Sequence, residues 1–207
     1  MYFKNREEAG KFLGEKLASL SLCDTIVLGL PRGGVVVAKE VAKVLNVPLN
    51  VFIVRKLGVP HHRELAMGAI AEEGESILDK ETIRSYGLTR QQINRVIMEE
   101  EEELRRRIKL YRNGKKLPNL KGKTVILVDD GLATGMSAKV ALTSIKKQKP
   151  KNIIFAAPIC ANQSIDQISK LSKVVCLTIP KDLIAIGSYY DNFRQITDYE
   201  VLELLEK

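Results

Sequence analysis

The chain of 207 residues has no tryptophan, five phenylalanines, six tyrosines and three cysteines. It also lacks any apolar run approaching the ~20 residues that span a bilayer, so no transmembrane segment and no membrane partner are expected. The first ten residues, MYFKNREEAG, are charged where a signal peptide would be apolar. Cys23, Cys160 and Cys176 form neither a CxxC pair nor an even framework, which points to a reducing, cytoplasmic setting. Aromatics make up only 5% of residues, whereas single-strand nucleic-acid binders interleave aromatic and basic side chains, so nucleic acid is not the expected partner. Neither GxGxxG nor a Walker A pattern occurs, which argues against dinucleotide and P-loop binding. The tandem His61-His62 lacks HxxxH spacing and a cysteine cluster, and a zinc site is discounted.

What is present is an excess of base, 33 Lys plus Arg against 25 Asp plus Glu, for a net charge of +8. Such a field attracts polyphosphates and nucleic acids alike and does not choose between them. The length suits one large domain with a substantial core. Apolar runs of strand length alternate with helical patterns along the chain, so the expected fold is α/β with a doubly wound parallel sheet.

The most informative stretch is Thr124 to Ser137, TVILVDDGLATGMS. A β-prone run delivers Asp129 and Asp130 to the carboxyl end of a strand, where open α/β sheets bind ligands. The turn that follows offers backbone N–H groups and the Thr134 and Ser137 hydroxyls at a helix N-terminus, which suits a phosphate dianion. Carboxylates beside that cradle are suited to accept hydrogen bonds from vicinal sugar hydroxyls, and phosphate plus diol describes a ribose 5-phosphate. Asp-Asp-Gly alone is equally a capped turn. A second junction follows the run Thr25 to Leu30: Pro31-Arg32-Gly33-Gly34 combines two permissive glycines with the donor fork of Arg32, although such a loop alone reads as a strand-to-helix turn.

Asn50 to Val54 is a third strand candidate, ending in Arg55-Lys56. From there to about residue 75 few periodicities remain, and the segment is expected to be a flexible loop acting as a lid. His61, His62 and Arg63 read either as part of that lid or as a solvated basic loop. Thr89 to Gln92 is a capping box for a long helix to about Arg112, whose Glu101–Arg105, Glu102–Arg106 and Glu103–Arg107 pairs read as a solvated face. Asn5 with Glu8 caps a first helix, expected to be structural. Tyr189 and Tyr190 are candidates for contact with a base, though clustered aromatics more often pack into cores.

The stretch VILVDDGLATGMS resembles the phosphoribosyl pyrophosphate (PRPP) signature of the type I phosphoribosyltransferases, and Leu30 to Gly34 and Arg55 to Gly74 follow that family's order over about residues 24–180. The resemblance implies a single domain, with a hood formed by N- and C-terminal segments. It implies that Asp129 and Asp130 hold ribose hydroxyls, that Ala133, Thr134, Gly135, Met136 and Ser137 hold the 5-phosphate, and that Arg32, Gly33 and Gly34 hold pyrophosphate. Mg²⁺ would bind mainly through PRPP, with Asp129 and Asp130 as protein ligands. Catalysis would come from Arg55, Lys56 and Arg32 stabilising the leaving group. The implied activity is transfer of the phosphoribosyl group to a nucleobase or related nitrogen acceptor, by a homodimer. Ala133 stands where enzymes for 6-oxopurines carry an aspartate, whereas adenine and orotate enzymes share the alanine. The alternative is a non-catalytic PRPP sensor that uses the basic surface to bind nucleic acid.

Overall fold

The computed structural model describes residues 1–206. The chain runs α1 (Arg6–Ala18), β1 (Thr25–Gly29), α2 (Gly33–Leu45), β2 (Leu49–Val51), β3 (Val54–Val59), β4 (His62–Ala71), β5 (Ser76–Leu78), α3 (Lys80–Ser85) and α4 (Arg90–Arg112). It continues through β6 (Thr124–Val128), α5 (Met136–Lys147), β7 (Asn152–Ile159), α6 (Asn162–Ser169), β8 (Lys173–Thr178), a 3₁₀ turn at Ile186–Tyr189 and α7 (Asp198–Glu206). Strands β2-β1-β6-β7-β8, in that order, form an all-parallel sheet, and β3-β4-β5 form a separate antiparallel one. The expected α/β architecture is therefore present. No helix among the described residues is long and apolar enough to cross a membrane.

The apolar run of β6 is explained by burial on both faces, as parallel strands require. Val125 and Leu127 face α5 and α6, packing with Ala141, Leu142 and Ile168. Ile126 and Val128 face α1 and α2, packing with Leu13, Val37 and Val41. Each such side chain contributes about 1.5–3 kcal/mol by leaving water.

Three expectations change. Asn50 to Val54 is not one strand: pairing with β1 ends at Val51, and Val54 starts the antiparallel sheet. The segment after Arg55, expected to be a loop, is a hairpin with a two-residue turn, in which proline presets φ at Pro60 and His61 takes the left-handed conformation at φ 65°. Its inner part lacks clean alternation because both faces are covered there, Ala69 and Ala71 packing in the cluster of α5 while Leu57, Met67 and Ile70 pack with Leu104 and Tyr111 of α4, whereas His62 to Leu65 at its tip are exposed. The cysteines, read as forming no framework, include a Cys160–Cys176 disulfide with Cα atoms 6.2 Å apart. Strands β7 and β8 are neighbours, a proximity that 16 residues of sequence separation conceal.

The charged face of α4 forms two of its three expected pairs, Glu101–Arg105 at 3.9 Å and Glu103–Arg107 at 2.8 Å. Arg106 turns instead to Glu103 at 2.6 Å and to Asp198 of α7 at 3.3 Å. The hydrogen bonds from Arg106 and Arg107 lower the Glu103 pKa from 4.5 to about 2. Burial raises that of Asp198, but hydrogen bonds from Tyr111 and Arg106 outweigh it and leave it below the ordinary value. At the C-terminal end of α4, Glu72 pairs with Arg112, their side chains 1% and 6% exposed. Burial raises the Glu72 pKa, against the pull of Arg112, and Arg112 Nε and Nη1 find no partner.

Removing one member of a buried pair strands the other, so Glu72→Ala is expected to cost about 3–5 kcal/mol in urea unfolding, and a loss under about 1 kcal/mol would contradict this account. Because the Glu103 and Asp198 carboxyls are held low, the stability they contribute is complete above the ordinary values of 4.5 and 3.8 and is lost as pH falls through their lowered values, about 2 for Glu103. Hydrogen exchange across α7 should accelerate in that window, and Glu103→Gln should remove much of this acid sensitivity.

Candidate functional site

The site is set by the pairing of β1 with β6, in which Gly29 lies level with Val128 and the Leu30 amide donates to the Val128 carbonyl at 2.9 Å. The loops that follow these strands, Leu30 to Gly34 and Asp129 to Ser137, therefore emerge side by side. The chain leaves β1 for β2 on one side and later enters β6 on the other, so this is the point where winding reverses and a crevice opens at the strand ends.

The glycines of the first loop are there for approach. A Cβ on Gly34 would lie 2.9 Å from Asp129 Cα and Oδ1, and one on Gly33 would overlap the Asp130 carboxylate. Only glycine lets the loop pack so closely against the acids. The Pro31–Arg32 peptide is cis. Arg32 is directed toward α7, its Nη1 3.8 Å from Asp198 Oδ1.

Asp129 and Asp130 are half-buried, not turned into the interior. Asp129 Oδ1 accepts from the Asp130 amide at 2.9 Å, and Asp130 Oδ2 accepts from Arg6 Nε at 2.7 Å. No N–H or hydroxyl donor among the described residues reaches the remaining oxygen of either, and the two carboxyls lie within hydrogen-bond reach of each other. Burial, followed by the charge of Asp130, pushes the Asp129 carboxyl well above its ordinary range, while Lys56 pulls the other way. The Tyr190 hydroxyl donates to the Asp130 carbonyl at 2.8 Å.

The bend beyond the acids is pinned from beneath. The Leu132 amide donates to Ile159 O at 2.8 Å, the Ala161 amide to Leu132 O at 2.7 Å, and the Ser164 hydroxyl to the Ala133 carbonyl. Gly135, at φ 77°, opens α5 with no side chain capping it, which leaves first-turn N–H groups for a ligand. Ala133 and Thr134 are exposed, and Gly135, Met136 and Ser137 are half-buried.

A cleft of about 760 Å³ lies between Pro31 and Ser137 on one side and the β3–β4 hairpin and α4 on the other. Arg55, Lys56, Arg63, Arg95 and Arg107 lie along it with Glu99 and Glu100, so its walls carry an excess of positive charge. Arg55 is committed to Glu100 of α4 at 2.7 Å, whereas Lys56 is exposed with no ion-pair partner among the described residues. The structure thus brings together Lys56, Gly33, Gly34, both aspartates and the bend, but turns Arg32 aside and pairs Arg55.

Tyr190 does not present a face to a base. It is 7% exposed and stacks on Phe193, with ring centroids 4.9 Å apart. Tyr189 stacks on Tyr2 at 5.3 Å. The main residue that sequence reasoning missed is Arg6, whose guanidinium lies 3.7 Å from the Phe193 ring centroid and donates to Arg194 O at 2.9 Å. A signal existed: Arg6 shares a helical face with Gly10, Leu13 and Leu17, and a cation in a first turn opposes the helix dipole. Ser164 and Glu100 had no such signal.

No group of three or more His, Cys, Asp or Glu among the described residues could cage a metal alone. The two carboxyls of Asp129 and Asp130 at the crevice are hard oxygen donors of the kind that fit a Mg²⁺ held chiefly by ligand oxygens and water.

The phosphoribosyl transferase domain family matches residues 4–193. The Mycobacterium tuberculosis protein Rv0571c is 40% identical over 206 residues, 99% of this chain but 46% of the relative, so the chain spans about half the length of the curated relatives it matches. TT1426 from Thermus thermophilus is 39% identical, with coverage of 99% of this chain and 98% of that one and a TM-score of 0.82. The APRTase from Giardia lamblia complexed with 9-deazaadenine shares the fold alone, with 13% identity, a TM-score of 0.50 and coverage of 86% of this chain and 80% of that one. None of these relatives supports the nucleic-acid-binding alternative. With a match that runs from the residues capping α1 to the tail packed behind Asp130, this chain belongs to the phosphoribosyl transferase domain family.

Proposed function

We propose that the protein transfers the 5-phosphoribosyl group of PRPP to a nucleobase or related nitrogen acceptor and releases pyrophosphate. The observation that carries this reading is the convergence, at one sheet edge, of an acidic doublet, an uncapped helix start and a glycine loop packed against the doublet. In this reading Asp129 and Asp130 accept from the ribose hydroxyls through their free oxygens. The bend Ala133 to Ser137 wraps the 5-phosphate with backbone amides and hydroxyls. Gly33 and Gly34 let pyrophosphate approach the first loop, and Arg32 reaches it by leaving Asp198.

Displacement at the anomeric carbon develops positive charge on the sugar and negative charge on the leaving group, so positioning and charge stabilisation suffice and no covalent nucleophile is needed. Mg²⁺ bound with PRPP would supply charge neutralisation at the pyrophosphate, within reach of Asp129 and Asp130. Lys56 is free to meet that charge, whereas Arg55 can do so only by exchanging Glu100 for the ligand. Ala133 supplies no acid for a 6-oxopurine, which directs the search toward other acceptors. Cytoplasmic residence and the homodimer belong to the same reading and rest on family resemblance.

Pyrophosphate release from PRPP and Mg²⁺, screened across bases, tests the activity. Asp129→Asn with Asp130→Asn should abolish PRPP binding in calorimetry while the protein stays folded; unchanged affinity would refute the sugar site. Lys56→Ala should lower kcat by about a hundredfold, the scale of losing one charge-stabilising donor, with PRPP affinity nearly unchanged. Equal loss of both would remove Lys56 from the leaving-group role.

A further inference from the structure

We propose that Arg6 is a positioning residue for the sugar, acting through Asp130; this rests on the ribose reading above. Arg6 comes from the first turn of α1, outside both loops of the site, yet its side chain is 9% exposed and reaches across 124 positions of sequence to Asp130. Three partners pin it: Asp130 Oδ2 through Nε at 2.7 Å, the Arg194 carbonyl through Nη1 at 2.9 Å, and the face of Phe193 at 3.7 Å. Two of the three belong to the C-terminal segment, which also braces the Asp130 backbone through Tyr190.

The contact is made by one guanidinium nitrogen to one carboxylate oxygen. It is not the two-pronged fork that would occupy both oxygens. Oδ2 is thereby committed to the protein and Oδ1 is left to accept from a hydroxyl. Fixing one oxygen also fixes the plane of the carboxylate, and with it the direction in which Oδ1 points. Two adjacent half-buried carboxylates repel each other, and Asp130 has no other ion pair among the described residues. Lys56 stands across the cleft and Arg32 is turned to Asp198, so Arg6 is the cation behind the doublet. Gly33 closes the remaining side, since any Cβ there would collide with both Asp130 and Arg6. If adhesion between α1 and the tail were the whole purpose, apolar residues would serve as well, because a buried ion pair is rarely more stabilising than its apolar replacement.

The test is calorimetric titration of ribose 5-phosphate, PRPP and pyrophosphate into the wild type, Arg6→Met, Arg6→Lys, Asp130→Asn and the Arg6→Met, Asp130→Asn double variant. Arg6→Met is expected to weaken ribose 5-phosphate and PRPP by about tenfold or more, the equivalent of about 1.4 kcal/mol, and to leave pyrophosphate affinity unchanged. Arg6→Lys should recover part of the loss. The double variant should bind ribose 5-phosphate no worse than Asp130→Asn alone, since a residue acting through Asp130 has nothing left to position. Wild-type affinity in Arg6→Met, equal losses for sugar and pyrophosphate, or additive losses in the double variant would overturn the inference while leaving the ribose reading in place. Should Arg6→Met fail to fold, Arg6→Lys decides: sugar affinity lowered with pyrophosphate affinity kept supports the role, and unchanged sugar affinity overturns it. If the wild type binds pyrophosphate but not ribose 5-phosphate or PRPP, the ribose reading falls, and the inference with it.

Discussion

The constraint on which the molecule depends is the register between β1 and β6. Once Gly29 stands level with Val128, the loops that follow are forced together over a few ångströms. Every special residue in them is then a response to crowding. Glycine stands at 33 and 34 because aspartates stand at 129 and 130, and a guanidinium stands behind the aspartates because two carboxylates have been brought into a half-buried pocket. The same register would be useless without burial of β6 on both faces, which fixes the strand against slippage.

Much of this was legible because it is local. The run VILV, the acid pair, the turn that follows it and the capping box at Thr89 and Gln92 each declare themselves within a few residues. What escaped was long-range or doubly buried. The β3–β4 hairpin was hidden because helices cover both faces of its inner part and erase the alternation that marks a strand, and because a proline and a histidine, which suggest a loop, make its turn. The Cys160–Cys176 bridge follows from strand adjacency, and the role of Arg6 from a contact with Asp130 that no spacing rule predicts.

The second half of the site is built by the parts of the chain whose sequence says least about ligands. The charged helix α4 solvates one face with its ion pairs, yet its other face packs on the hairpin and supplies Glu100, so it is a wall of the cleft as well as a soluble surface. The C-terminal segment likewise serves two ends. Tyr190, a candidate for base contact in the sequence, and Phe193 brace Asp130 and Arg6 from behind.

The union of hairpin and α4 has a consequence for entry. Leu57, Met67 and Ile70 share one apolar cluster with Leu104 and Tyr111, and Arg55 is latched to Glu100. The strands cannot peel away singly without exposing that cluster to water. The hairpin's other face is held in turn, through Ala69 and Ala71, in the cluster of α5, so this wall of the cleft is anchored to helices on both sides.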